Sequence, residues 1–308
     1  MPDFTPMIGT PQVLAPLLSV VVAPNASPMT HTGTNTYVLG DHGLAVIDPG
    51  PDDPVHLAAV LRAIAGRAVS HILLTHSHLD HSPLARRLSA LTGAPVCAFG
   101  DSQAGRSAIM QSLAQQGLTG GGEWIDHEFT PDTTLADGAV VTGQDWALTA
   151  VHTPGHIGNH LCFRWGQAIF TGDHVMGWAS SLVSPPDGDL GDFMRSCSKL
   201  RALDARVFYP GHGAPVSNPH ARLDWLIAHR TDREKQIIAA LSAHPQDLMR
   251  LTLGVYVDTP AALLGAAARN VFAHLIELHQ RGQVHADPHL HKDATFSLRQ
   301  TEKPTKNE

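Results

Sequence analysis

Thr75-His76-Ser77-His78-Leu79-Asp80-His81 constrains this chain more than any other stretch, because four side chains able to bind a metal ion sit within six residues. The apolar run Ile72-Leu73-Leu74 just before it predicts a buried strand that delivers the segment at its end. Successive residues of an extended chain point to opposite faces, so His76 and His78 project the same way and can reach one ion. Asp80 and His81 lie at the turn into a helix predicted over Pro83 to Leu91, placed for a second ion nearby. One tight centre needs more ligands than these, which directs attention to other strand ends.

Three such ends carry His or Asp. Trp146–Val151 leads into His152-Thr153-Pro154-Gly155-His156, Ala168–Phe170 into Thr171-Gly172-Asp173, and Val207–Tyr209 into Pro210-Gly211-His212-Gly213. A carboxylate at Asp173 can bridge two ions. The candidate metal ligands are therefore His76, His78, Asp80, His81, His156, Asp173 and His212. All are imidazole or carboxylate and none is a thiolate, which suits zinc, two ions per chain, with iron, manganese or nickel as alternatives. His152 is expected to support the site or to pack. His174 is a candidate substrate contact or a support for Asp173, Trp178 is a candidate substrate contact, and Asn159 and His160 either face substrate or, the reading the pattern favours, start the next strand. The loop Ser181 to Asp189, with Met176 and Trp178 before it, is expected to overhang the cleft.

Around these motifs the chain alternates strands and helices. Thr36–Leu39 and Leu44–Ile47 predict a hairpin closing on Asp48-Pro49-Gly50, and Val55 to Ile64 has helical spacing. The apolar run Val13 to Pro24 carries no basic flank and is interrupted by Pro16, so a first strand is expected, not a signal or membrane span. Helices are expected over Leu190 to Leu203 and Pro219 to Ala243. A short helical segment at Leu248–Leu251, a helix over Pro260 to Arg281 and Gly282-Gln283-Val284 then suggest a winged helix. Two βα-rich halves with helices outside give a four-layer sandwich. The expected domains are 1–230 (catalytic), 231–290 (winged-helix-like) and 291–308 (a polar, loose tail).

Composition narrows the function classes. Histidine, at 21 residues, outnumbers Phe, Tyr and Trp combined, and a net charge of -7 disfavours general attraction to nucleic acid or an anionic membrane. Cys97, Cys162 and Cys197 are an odd number of widely separated cysteines, read as buried apolar side chains in a reducing cytoplasm.

Together these motifs resemble the metallo-β-lactamase superfamily, and within it the glyoxalase II and β-lactamase-like protein 2 branches. The resemblance rests on G-T-N-T-Y-V-L-G, D-P-G, T-H-S-H-L-D-H, H-T-P-G-H, T-G-D and Y-P-G-H-G, in family order from Asn35 to about Tyr209. It implies an αββα sandwich in which His76, His78 and His156 hold the first ion, Asp80, His81 and His212 the second, and Asp173 both. Leu79 stands where the flavodiiron oxidases of the superfamily usually place an acid, which demotes that reading. Ile157-Gly158-Asn159-His160 departs from relatives that are more acidic or hydroxyl-bearing there.

Two adjacent cations would generate a bridging hydroxide near neutral pH, with Asp80 orienting it and carrying its proton. The expected function is dinuclear metal hydrolysis of an ester, thioester or lactone in a small molecule. The alternative is an endoribonuclease acting on single-stranded RNA. From Asp232 to Glu308, nine Lys and Arg balance nine Asp and Glu, which weakens that alternative. A third reading makes the C-terminal module a nucleic-acid-binding or dimerisation element, with a homodimer among the expected partners. No membrane partner is expected.

Overall fold

A computed structural model describes residues 4–120 and 124–299. The first sheet has seven strands in sequence order: β1 (Gln12–Ala15), β2 (Leu18–Val22), β3 (Asn35–Leu39), β4 (Leu44–Ile47), β5 (Val69–Leu73), β6 (Val96–Ala98) and β7 (Thr133–Thr134). The apolar run expected to be one strand is two, because the chain turns at Pro16-Leu17 with Leu17 at φ +65° and β1 pairs antiparallel with β2. The predicted hairpin forms, Tyr37 pairing with Ile47. Helices α1 (Pro54–Ile64) and α2 (Leu84–Thr92) cover the outer face. Asp53 caps α1 by accepting from His56 N at 2.7 Å, and Pro54 opens the helix where a missing N–H costs nothing. A further helix, α3 (Ala108–Gln115), follows β6.

The second sheet runs β12–β11–β10–β9–β8, built from β8 (Val140–Thr142), β9 (Ala147–His152), β10 (Leu161–Trp165), β11 (Ala168–Gly172) and β12 (Val207–Pro210). α4 (Leu190–Arg201) and the first half of α5 (Pro219–Ala243) lie outside it. The central strands β3, β4 and β11 are buried on both faces, which is why they read as largely apolar runs. Alternation then sorts the side chains. Leu18, Val20, Ala45, Ile47, Leu161, Phe163 and Phe170 pack between the sheets. Val21, Leu44 and Val46 face α1, while Val151, Cys162 and Ile169 face α4 and α5. The result is the four-layer αββα sandwich.

Beyond it come β13 (Gln246–Asp247), α6 (Leu248–Val255), a 3-10 turn at Ala261–Leu263, α7 (Leu264–Gln280), β14 (Val284–Asp287) and β15 (Thr295–Leu298). The strands form a small sheet in the order β13–β15–β14. This is a winged helix, but the polar stretch expected to be loose from His291 supplies β15, the central strand of the wing. Its period-two burial (Phe296 buried, Thr295 exposed) was hidden in the sequence by the polar residues around it. The expected boundary at residue 230 falls inside the continuous helix α5. Ile237 and Leu241 of that helix share one apolar cluster with Val271, Leu275 and Phe296, and with Met110 and Leu113 of α3, so the module is fastened to the sandwich by its core side chains.

Candidate metal centre

The ends of β5, β9, β11 and β12 meet at one edge of the sandwich and carry all seven candidate ligands. Strand ends are where open α/β sheets place ligand sites, because the connecting loops are free there to vary. The atoms fall into two compact groups. His76, His78, His156 and Asp173 form one, Asp80, His81 and His212 the other, each with its ligand atoms within 4.8 Å of one another. In the first, His78 Nδ1 lies 3.0 Å from His76 Nε2 and 3.1 Å from His156 Nε2. In the second, His212 Nε2 is 3.1 Å from Asp80 Oδ2 and 3.2 Å from Asp173 Oδ2. Asp173 therefore belongs to both, with Oδ1 3.5 Å from His81 Nε2 and Oδ2 3.8 Å from His156 Nε2.

What aims the imidazoles is the set of acceptors behind them. His156 Nδ1 donates to the Leu182 carbonyl at 2.7 Å, His212 Nδ1 to the Gly33 carbonyl at 3.2 Å and His81 Nδ1 to Asp48 Oδ2 at 3.0 Å. Each leaves Nε2 facing inward, the arrangement metal-binding histidines require. His81 Nε2 and Asp173 Oδ1 are buried without a hydrogen-bond partner. Buried polar atoms are seldom left so, and a cation among N and O donors would satisfy both. The residues present fit a pair of divalent ions.

Asp48 is the functional residue that sequence reasoning missed, having treated Asp48-Pro49-Gly50 only as a turn. It sits at φ +49°, a conformation Asp and Asn tolerate, and its carboxylate accepts from Thr75 N and Thr75 Oγ1, each at 2.7 Å, as well as from His81. Thr75 Oγ1 in turn lies 2.9 Å from His76 Nδ1, so one carboxylate orients a ligand of each group. Asp48→Asn keeps the backbone and removes the charge. It is expected to weaken metal binding about 10–100-fold, measured by chelator competition; unchanged affinity would show that Asp48 does not orient the ligands. Asn35 plays a similar part for His212: its amide donates to the carbonyls of Pro210 and Gly213, each at 2.9 Å, fastening the His212 loop to the first sheet.

The two groups differ electrostatically. Burial, reinforced by His156, pushes His78 down to about 3, so that side is neutral and ready to donate electron pairs. Burial also opposes charge on His212, but Asp173 and Asp80 outweigh it and raise that imidazole to about 10. His81 is raised well above its usual value, burial again being overcome, by Asp80 and Asp173. In the metal-free protein, protons on His81 and His212 offset the two carboxylates, and a cation must displace them. Loading of the Asp80 group is therefore expected to release protons at pH 7 and to tighten as pH rises towards 10, whereas His78, neutral above about pH 3, adds no such dependence. Calorimetric titration in buffers of different ionisation enthalpy checks this, and metal uptake without proton release would contradict it.

The centre opens into a cleft of about 410 Å³ lined by Met29, Trp124, Ile125 and Leu182. The C-terminal module also lines it, through Ala262, Leu263, Gly265, Ala266 and Arg269. Loop residues Leu182, Ser184 and Asp187 do overhang it, but the aromatic side chain in the cleft is Trp124. Trp178 instead packs on His31, ring centroids 4.8 Å apart, and Met176 is buried. The other candidate substrate contacts lie in the interior, where the structural reading of Asn159 and His160 places them. Asn159 is buried, its amide donating to Ser77 Oγ at 2.8 Å and the Asp101 carbonyl at 2.9 Å. His160 and His174 are fully buried beside Thr153 and Cys197 respectively. These polar side chains serve interior hydrogen bonds behind the ligands, a role that sequence position alone does not separate from substrate contact. His152 packs flat on Phe99, away from the ligands.

An αββα sandwich with a two-lobed His/Asp cluster at one sheet edge defines a metal-binding hydrolase class. Residues 29–212 match the Metallo-beta-lactamase superfamily and residues 248–300 the Beta-lactamase associated winged helix domain. The chain belongs to the metallo-beta-lactamase superfamily. It is 31% identical to an atrochrysone carboxyl ACP thioesterase from Paecilomyces divaricatus, over 82% of this chain and 74% of that one. It is 29% identical to a beta-lactamase-like protein 2 homolog from Drosophila melanogaster, over 84% of this chain and 87% of that one. A metallo-beta-lactamase family protein from Thermus thermophilus shares the fold, with TM-score 0.74 and 24% identity over 93% of this chain and all of that one.

Proposed function

We propose that this superfamily hydrolase is a dinuclear metal enzyme, with zinc as its resident metal, that cuts the thioester bond of a small acyl compound. The observation that carries this is the pair of ligand groups sharing Asp173 at the floor of an apolar cleft. Two ions held there would polarise a carbonyl oxygen and lower the pKa of water in the site towards ~7. The chain's own part is positional. Asp80 faces the cleft, its Oδ2 accepting from the Thr34 hydroxyl at 3.1 Å, which fixes the carboxylate where it can take a proton from the attacking water and pass it on. Met29, Trp124, Ile125 and Leu182 suit an acyl chain and keep bulk water from it. The relative described as an ACP thioesterase supports a thioester over an ester or lactone.

A second reading, cleavage of single-stranded RNA, is favoured by one surface feature. On α5 the ring of exposed Trp225 stacks on His229 with centroids 4.9 Å apart, and the Arg222 guanidinium lies 4.2 Å from it, a surface on which bases could stack. Elemental analysis of protein purified without added metal, run with fluorogenic thioester, lactone and RNA substrates, separates the two. About two zinc ions per chain with thioester turnover is expected. Stoichiometric iron or manganese would change the metal, and RNA cleavage without acyl turnover would overturn the chemistry.

A further inference from the structure

Arg269 of α7 stands at the boundary of two cavities. It lines the cleft above the metal ligands and also a neighbouring cavity of about 490 Å³, whose wall includes Leu118, Met249, Phe272 and Lys292. The side chain is half-buried, its Nε is buried without a hydrogen-bond partner, and among the described residues no carboxylate pairs with it. The acids near it are engaged elsewhere. Asp187 pairs with Arg106, Asp247 caps α6 by accepting from Arg250 N at 2.8 Å, and Asp293 lies 3.3 Å from His291 Nδ1. Lys292, on the second cavity, also has no partner among the described residues. The Arg269 Nε is a buried donor without a partner, and the flat fork of a guanidinium matches phosphate and carboxylate oxygens.

We infer that Arg269 binds an anionic group of the substrate, so that the thioester reaches the metal centre from a carrier or acyl part bearing a phosphate or carboxylate. This rests on the thioesterase reading and deepens it. The anion can come from two places, the phosphate of a phosphopantetheine arm on the thiol side or a carboxylate on the acyl side. In the first case the phosphate would meet Arg269 where the cleft joins the second cavity, whose lining carries Lys292 beside Asp247 and Asp293, and the thioester would lie in the cleft with the ligands. Arg269 is then a specificity residue, fixing the substrate's length and charge without entering the reaction.

The test uses the full chain and reads binding apart from turnover. Calorimetry on metal-stripped protein compares 4′-phosphopantetheine with pantetheine. Steady-state kinetics on the metal-loaded enzyme compares acyl-phosphopantetheine, acyl-pantetheine and a carboxyacyl-pantetheine. Phosphopantetheine is expected to bind about tenfold more tightly than pantetheine. Arg269→Ala is expected to erase that preference, raising KM for the phosphorylated thioester about tenfold more than for the neutral one. A preference confined to the carboxyacyl substrate, lost in the same variant, assigns the anion to the acyl side. Equal handling of charged and neutral compounds, or an Arg269→Ala enzyme with its preference intact, overturns the inference. Tighter binding of the phosphorylated arm that depends on Arg269, without hydrolysis of any thioester, would leave the anion site standing and sink the thioesterase reading instead.

Discussion

Asp80→Asn is expected to lower kcat by roughly 10²–10⁴-fold while the fold stays intact. Asparagine matches the carboxylate in shape and can still accept from the Thr34 hydroxyl at 3.1 Å. What it loses is charge and the capacity to take a proton. In the metal-free protein Asp80 lies 3.1 Å from His212 Nε2 and 3.3 Å from His81 Nε2, so removing its charge also weakens its own ligand group. The two effects separate experimentally. Turnover is measured at saturating metal, with metal content and circular dichroism recorded on the same samples. A slow enzyme at full metal content assigns Asp80 the proton-carrying role; a rate that recovers completely with added metal reduces it to a ligand. Wild-type turnover under both conditions would remove Asp80 from the site.

Gly155→Ala is expected to destabilise the protein by about 2–5 kcal/mol, the sum of a strained backbone and an overpacked contact. Gly155 has φ +142°, and a Cβ there would lie 2.3 Å from Phe193 Cα and 2.5 Å from Phe193 N. Those are backbone atoms of α4, which cannot swing aside as a side chain can. Either α4 lifts off the second sheet or the Thr153–His156 turn moves, and His156 follows Gly155 directly. Metal affinity should therefore fall together with stability. Gly66→Ala provides the control: Gly66 has φ +73° but nothing within 4 Å of its added Cβ. That variant should lose only about 1–2 kcal/mol, the cost of the left-handed backbone. Chemical denaturation of both variants decides the matter, and equal losses would show that the contact with Phe193 is not what Gly155 protects.

The clustering of the seven candidate ligands was legible in the sequence because each stands within a few residues of a strand end. Strand alternation then fixes where the side chain points before any tertiary contact is known, as at His76 and His78. The sandwich was legible for the same reason: two-sided burial turns a strand into an apolar run, and helices appear as 3.6-residue stripes with Asp or Asn caps. Asp48 was hidden because its role depends on Thr75 and His81, which the sequence places 27 and 33 residues away. Asn159 and His160 stayed ambiguous for the opposite reason. They adjoin a ligand in sequence, yet the turn directs them inward, where a buried amide or imidazole needs partners of its own. The cleft wall from Ala262 to Arg269 was beyond reach, since nothing local in an Ala-rich helix tells which surface it will face.

That wall has a consequence for how such a protein can change. The ligands all come from residues 76 to 212, and part of the remaining cleft lining comes from α7 and the turn before it. Mutations in the first set are expected to abolish the proposed chemistry, whereas those at the cleft-facing positions of the second are expected to change which compound fits. Drift or selection in one short helical segment can thus produce enzymes with the same reaction and different diets. Chimeras exchanging Ala261–Gln280 between relatives should carry substrate preference with the helix and leave the catalytic machinery to the host.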